Sequence, residues 1–421
     1  VGHERKARTI RESGVNPRRS VLIFPILAGV LFAQGTPLTL SRAIESALAR
    51  SPAILSARTG IQAAAARRLQ SEARPDPAVS LATESIPWTL KAREGRETEF
   101  SFGLEQTFEF PGRRSLRVEI GKLGEDAAAL ELERVRLLVS ADVKRAYFRT
   151  VLAAETLSAL EPASETLDRL IKYIQVRIQA GGASYGDVVR ARIEKARLQN
   201  RIIEARSERD AAMDELLVLM GRPPGEAPHL ATGLACPPLE RTAADVLAAA
   251  RADRPSLKIA RLEEERAAAT VRLAGLNRKP DLAAGLFVPS KNFGSWGFAL
   301  GFSLPLSDKR WAGARAEADS AREAAAIAVE SREKRIALLV GRAYARARAA
   351  AEQIRVFERN LLVEIEEELK LAVEYYRSGK IEAYALIDME RSATEARLEY
   401  LRALHSYAVA LADVEAAGEE E

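Results

Sequence analysis

Of 421 residues, 47% are hydrophobic, only 6% are aromatic and 29% are charged. Ala and Leu interleaved with Arg and Glu is the mixture of long, closely packed helices, not of an ordinary two- or three-domain globule. One cysteine, Cys236, excludes an intrachain disulfide or a CxxC motif, and three His with three Met leave little to build a metal site from. The formal charge of +4 belongs to the first 35 residues, where Arg5, Lys6, Arg8, Arg11, Arg18 and Arg19 outnumber Glu4 and Glu12; the rest is neutral overall, which removes the case for nucleic acid.

Residues 1–35 read as an export signal. Arg18 and Arg19 precede the apolar run VLIFPILAGVLF (Val21 to Phe32), and the small residues Ala33 and Gly35 follow it. That run is too short to cross a bilayer as a helix, and no later segment approaches the needed length. Membrane insertion, if any, must therefore use strands.

Next comes a helical pattern from Leu40 to Arg74. It gives way to period-two patterning in a hairpin at 77–110, with strands from Ala78 to Trp88 and from Glu99 to Phe110. In EFSFGLEQTFEF, Phe100, Phe102, Leu104, Phe108 and Phe110 alternate with Glu99, Ser101, Gly103, Glu105, Thr107 and Glu109, as expected of a strand with one apolar and one wet face. A very long helix is predicted from Ser115 to Ala180, with a kink at Pro162. A turn at 181–184 follows, with Ser184 placed to cap a return helix from Tyr185 to Met220. The Pro- and Gly-rich segment from Gly221 to Pro238 then reads as a belt joining two halves.

The second half repeats the first. LTLSRAIESALARSPAILSAR (Leu38 to Arg58) aligns with ERTAADVLAAARADRPSLKIAR (Glu240 to Arg261), Pro52 falling opposite Pro255. The pattern predicts a helix from Ala243 to Asn277, a hairpin at 281–306, a long helix from Ala312 to Ser378, a turn at 379–382 and a helix from Ala383 to Ala416. In WGFALGFSLPL, Trp296, Phe298, Leu300, Phe302, Leu304 and Leu306 alternate with small residues. The chain thus reads as a signal, a first repeat over 36–238 and a second over 239–421. Four strands cannot close a barrel alone and an open edge in lipid leaves backbone groups unpaired, so strands that span a membrane demand an oligomer; three copies supply about twelve. No nucleophile elbow, phosphate loop or metal-ligand cluster points to an enzyme or a cofactor.

The signal, the tandem hairpin-plus-long-helix unit, TFEFPGRR (Thr107 to Arg114), LLVLMGRPPG (Leu216 to Gly225) and the two glycine turns together resemble the TolC-like outer-membrane efflux proteins of heavy-metal and multidrug pumps. That resemblance covers Leu38 to Ala416. It implies a mainly α protein with membrane β. Long antiparallel helical hairpins would form a trimeric α-barrel in the periplasm, and four strands per chain a twelve-stranded transmembrane β-barrel in outer-membrane lipid. The partners it implies are two further copies, a periplasmic adaptor and an inner-membrane pump, expected to be proton-driven. The implied activity is passive passage through an exit duct. An outer-membrane duct for type I protein secretion, or an exported periplasmic coiled-coil scaffold, is the alternative.

At residue level the resemblance implies adaptor contacts at Gly181, Gly182, Ser184, Gly379 and Lys380. It implies a periplasmic gate of Tyr376 hydrogen-bonded to Asp187, with Asp388 facing the lumen. Ala385 stands where a second acid ring would need Asp, and Ile381 where an Arg would meet Asp187. Glu99, Glu105 and Glu109 would keep the bore wet.

Overall fold

The computed structural model describes residues 37–84, 99–289, 295–359 and 361–419. The expected signal at 1–35, and the end of the first expected strand at 85–88, lie outside them. One order of elements occurs twice. The first set is α1 (Leu40–Arg50), α2 (Pro52–Glu72), β1 (Ala78–Glu84), β2 (Glu99–Phe108), α3 (Arg113–Gln179) and α4 (Tyr185–Leu219). The second is α5 (Ala243–Asp253), α6 (Pro255–Leu276), β3 (Leu282–Pro289), β4 (Gly297–Phe302), α7 (Asp308–Glu358), α8 (Leu361–Arg377) and α9 (Ala383–Ala416). With 67 residues, α3 extends about 100 Å.

Three expectations need correction. The segments read as single helices, Leu40 to Arg74 and Ala243 to Asn277, are each two helices. A proline crowds the residue before it out of helical backbone. Ser51 and Arg254 accordingly have ψ of 130° and 120°, while Pro52 and Pro255 open α2 and α6, where no N–H is needed. The strands are also shorter than expected: β2 stops before Phe110 and Pro111, and β4 before Leu304 and Pro305.

The third correction concerns the long helix expected from Ala312 to Ser378, which is two helices. Helix α3 runs through Pro162 unbroken, and the interruption falls in the other half, where Arg359 (ψ 57°) ends α7 and Leu361 begins α8. Counted back from the tip glycines Gly181 and Gly379, Pro162 and Asn360 occupy the same place. Burial accounts for the difference. Around Pro162, Leu157, Leu160, Ala163 and Leu167 are all in the core, and together they offset the proline penalty of about 3 kcal/mol. In α8 only Ala372 and Tyr376 are buried.

The four strands form one antiparallel sheet in the order β1-β2-β3-β4. In register, Leu81 pairs with Phe102 and Phe102 with Val288, while Val79, Leu104, Leu286 and Phe298 form the neighbouring row. These side chains share one face, and nearly all of them are exposed, Leu81 at 77% and Phe302 at 67%. Alternate positions carry Ser80, Ser101, Gly103, Glu105, Gly285, Ala299 and Gly301. The β2–β3 pairing joins the two halves, and among the described residues β1 and β4 are the sheet's edges.

Arg113 explains part of TFEFPGRR. It is buried at the foot of the sheet, where its guanidinium donates to the Leu276 and Lys279 carbonyls and pairs with Asp281. Asp281 in turn accepts from the Phe110 N–H at 2.8 Å. One arginine from the first half thus closes the joint between α6 and β3 of the second.

Four apolar clusters are strung along the helices in place of one core. The 221–238 segment links two of them. Leu38 bridges to Leu230, and the Tyr147 hydroxyl donates to the Leu38 carbonyl (2.9 Å) and accepts from Thr232 N–H (3.0 Å). Further on, Leu234 and Cys236 pack near Tyr407, whose hydroxyl donates to the Pro237 carbonyl. The chain end docks on the corner made by Pro255: Ser256 N–H donates to the Glu419 carboxylate (3.1 Å) and Ser256 Oγ to the Gly418 carbonyl (2.8 Å).

Candidate functional site

The far ends of the long helices are two copies of one turn. Gly181 (φ 74°) and Gly379 (φ 77°) sit in the left-handed region that favours glycine. Gly181 N–H donates to the Ile178 carbonyl and Gly182 N–H to Arg177; in the second turn Gly379 N–H donates to Tyr376 and Lys380 N–H to Tyr375. Both patterns satisfy carbonyls that the end of a helix leaves open.

Beyond the glycines the turns differ. Ser184 Oγ accepts from Asp187 N–H (3.3 Å), and the Asp187 carboxylate accepts from Ser184 N–H (3.0 Å) and from its hydroxyl (2.9 Å), a reciprocal cap on α4. The equivalent residues before α9 are Glu382 and Ala385, and no side chain caps that helix. Gly181, Gly182, Ser184, Gly379 and Lys380 are all exposed or nearly so, and Lys380 lies over the Tyr375 ring at 5.3 Å.

Tyr376 is 2% exposed, and its hydroxyl finds no hydrogen-bond partner among the described residues. Asp187 lies near enough to act on it electrostatically, while its Oδ2 serves the cap. Arg177, which no sequence motif singles out, holds Tyr376 within the chain. Its guanidinium lies 5.3 Å from the ring centroid, and Nη1 donates to the Tyr376 carbonyl at 3.3 Å. One turn earlier, Tyr173 meets the same ring edge-on at 5.8 Å and donates its hydroxyl to the Arg377 carbonyl at 3.2 Å. Burial pushes the Tyr376 phenol up, and Arg177 pulls it partly back. A basic residue in the last turn of a long helix reads from sequence as a capping charge; only the fold brings Arg177 under α8.

Asp388 lies on the first turns of α9 and is paired with Arg391, three residues on. On the sheet, Glu105 is exposed on the face of small residues, opposite Ala78 and Gly285. Glu109 follows the end of β2, and its carboxylate is paired with Arg117 on α3. Glu99 opens β2 opposite Glu84, and its side chain lies outside the described set. No helix of the described residues is long and apolar enough to cross a membrane, and none of their His, Cys, Asp and Glu side chains gather in threes as a metal site would require.

Known proteins share this fold. The cobalt-zinc-cadmium resistance protein CzcC of Cupriavidus metallidurans is 23% identical over 376 residues, 87% of each chain. The outer membrane protein VceC of Vibrio cholerae superposes with a TM-score of 0.75 at 18% identity, over 90% of this chain and 96% of that one. CusC, solved in a study of folding and transmembrane channel formation, gives 0.76 at 20% identity, over 90% and 91%. The sequence profile of the outer membrane efflux proteins matches residues 43–222 and 246–418, and the chain belongs to that family.

Proposed function

We propose that the protein is the outer-membrane exit duct of a tripartite efflux system, assembled as a homotrimer. The observation that carries this reading is the four-stranded sheet, which turns a continuous face of Leu, Val and Phe outward and leaves both edges open. In water such a face and such edges would aggregate. In lipid the face is solvated, and three sheets joined edge to edge make a closed barrel of about twelve strands. Exposed apolar residues on α4 (Tyr185, Val189, Ile193, Ile203) and on α7 and α8 (Val356, Val363, Leu371) supply surfaces for neighbouring copies along the helices.

Transport through the duct is passive, and the partner pump supplies the energy. The exposed turns around Gly181 and Gly379, with Ser184 and Lys380, are offered to a periplasmic adaptor. The clasp of Arg177 and Tyr173 on Tyr376 ties the second tip to the first and holds the duct shut until the adaptor parts them. Three Asp388 carboxylates facing one axis would arrive already paired with Arg391, so they attract cations less than bare acids would. The similarity to CzcC supports divalent metal ions as cargo.

Native mass spectrometry of the protein extracted from outer membranes tests the assembly. Three copies, retained in the membrane through salt and alkali washes, are expected. A monomer released with the periplasmic contents would remove the duct and restore the coiled-coil scaffold.

A further inference from the structure

Beneath the interruption between α7 and α8 lies a cavity of about 350 Å³, walled by α3, α8 and α9 and lined by Pro162, Ala163, Leu362, Ile365 and Glu390. Glu390 occupies the buried seam of α9, one turn from Leu386 and one from Thr394, and is 7% exposed. Its Oε2 is fully buried with no hydrogen-bond partner among the described residues. A carboxylate in such a place costs several kcal/mol unless a partner is supplied. The equivalent position in the first half is Arg192, which is exposed.

The surroundings narrow what that partner is. Around the cavity α3 contributes Glu155, α8 Glu366 and α9 Arg397. Arg169 of α3 acts on Glu390 from a distance, while its own side chain is largely solvent-exposed. The Tyr400 hydroxyl is taken by Glu358. Acid therefore outweighs base, and burial, against the pull of Arg169, pushes Glu390 up to about 7. A bare metal ion does not fit: ligands do not converge in threes among the described residues, and the volume exceeds by far the ~30 Å³ share of a single water. Hydroxyls of Ser158 and Thr166 beside Leu362 and Leu401 give the walls both polar and apolar character.

We propose that this cavity binds a small organic ammonium ion, with the Glu390 carboxylate as counter-ion and the apolar walls holding the hydrocarbon body. The charge-assisted hydrogen bond satisfies Oε2, and the bound cation stabilises the ionised carboxylate. Affinity therefore rises as pH passes upward through the Glu390 value. This site is independent of whether the protein conducts.

Benzylammonium chloride, titrated calorimetrically into the full-length detergent-solubilised protein, is the probe, with neutral benzyl alcohol as its isostere. At pH about 8 a Kd on the order of 1 mM is expected. It should weaken at least about tenfold at pH about 5.5 and in Glu390→Gln. Ala393→Leu, which keeps the carboxylate and fills the space, should weaken binding as much and decides the matter if the Gln variant does not fold. Equal binding by Glu390→Gln or by Ala393→Leu, equal binding of the alcohol, or no heat from the wild type would overturn the proposal.

Discussion

Gly181 and Gly379 close the same turn with the same pair of backbone hydrogen bonds, yet the helices that leave them start differently. Helix α4 begins with the Ser184–Asp187 cap, while α9 begins at Glu382 with no side-chain cap. The long helices that arrive differ in the same sense, α3 running unbroken through Pro162 and α7 giving way to α8 at the matching place. The first half is therefore a continuous, capped strut. The second is a jointed arm, clasped to the strut by Arg177 and Tyr173. Duplication supplies two equal hairpins, and a few substitutions leave one of them jointed and without a side-chain cap.

The largest expected effect breaks the joint between the halves. Arg113→Ala leaves the half-buried Asp281 without its cation and frees the Leu276 and Lys279 carbonyls. A loss of about 3 kcal/mol or more is expected, read as a lowered unfolding midpoint in detergent. The neighbouring Arg114, which donates to the Glu72 carbonyl from an exposed site, should change the midpoint by less than about 1 kcal/mol on replacement by Ala.

Second in size is a pH dependence confined to the jointed arm. The Glu390 carboxyl is raised from 4.5 to about 7, so the folded state holds its proton more tightly than the unfolded chain. The stability it confers is complete below about pH 4.5 and is lost as pH rises through about 7, a change of up to about 3 kcal/mol. Glu390→Gln should flatten that part of the stability profile, while Arg192→Gln at the equivalent place in the strut should leave it intact.

The smallest effect exchanges the caps. Ser184→Ala should cost α4 about 1 kcal/mol, and the pair Glu382→Ser with Ala385→Asp should give α9 a similar gain. Hydrogen exchange in the first turn of each helix reads both directly. Protection that moves in neither helix would mean that packing, not capping, separates the two tips.

Much of the fold was legible because periodicity is a local signal. The apolar positions of Phe100, Phe102 and Leu104, or of Phe298, Leu300 and Phe302, state their own secondary structure and their own shared face. Pro52 and Pro255 were visible as a repeat, yet their power to split a helix was read through, since the flanking residues are strong helix formers. Other features depend on partners far along the chain. Arg113 stands in a noticeable motif, but the carbonyls it meets belong to the other half. Glu390 looks like any acid on an amphipathic helix until α3 and α8 close over it. Arg177 looks like a terminal charge until Tyr376 is placed beneath it, and Pro162 looks like a helix break until the burial of Leu157, Leu160 and Leu167 is known.

Single-channel currents in a planar bilayer, recorded for the wild type and for Arg177→Ala, test the central claim most directly. A closed duct clasped at its tip predicts small, infrequent steps from the wild type and steps several-fold larger or longer-lived once the clasp is removed. Silence from both proteins would contradict the duct, and identical steps from both would contradict the clasp.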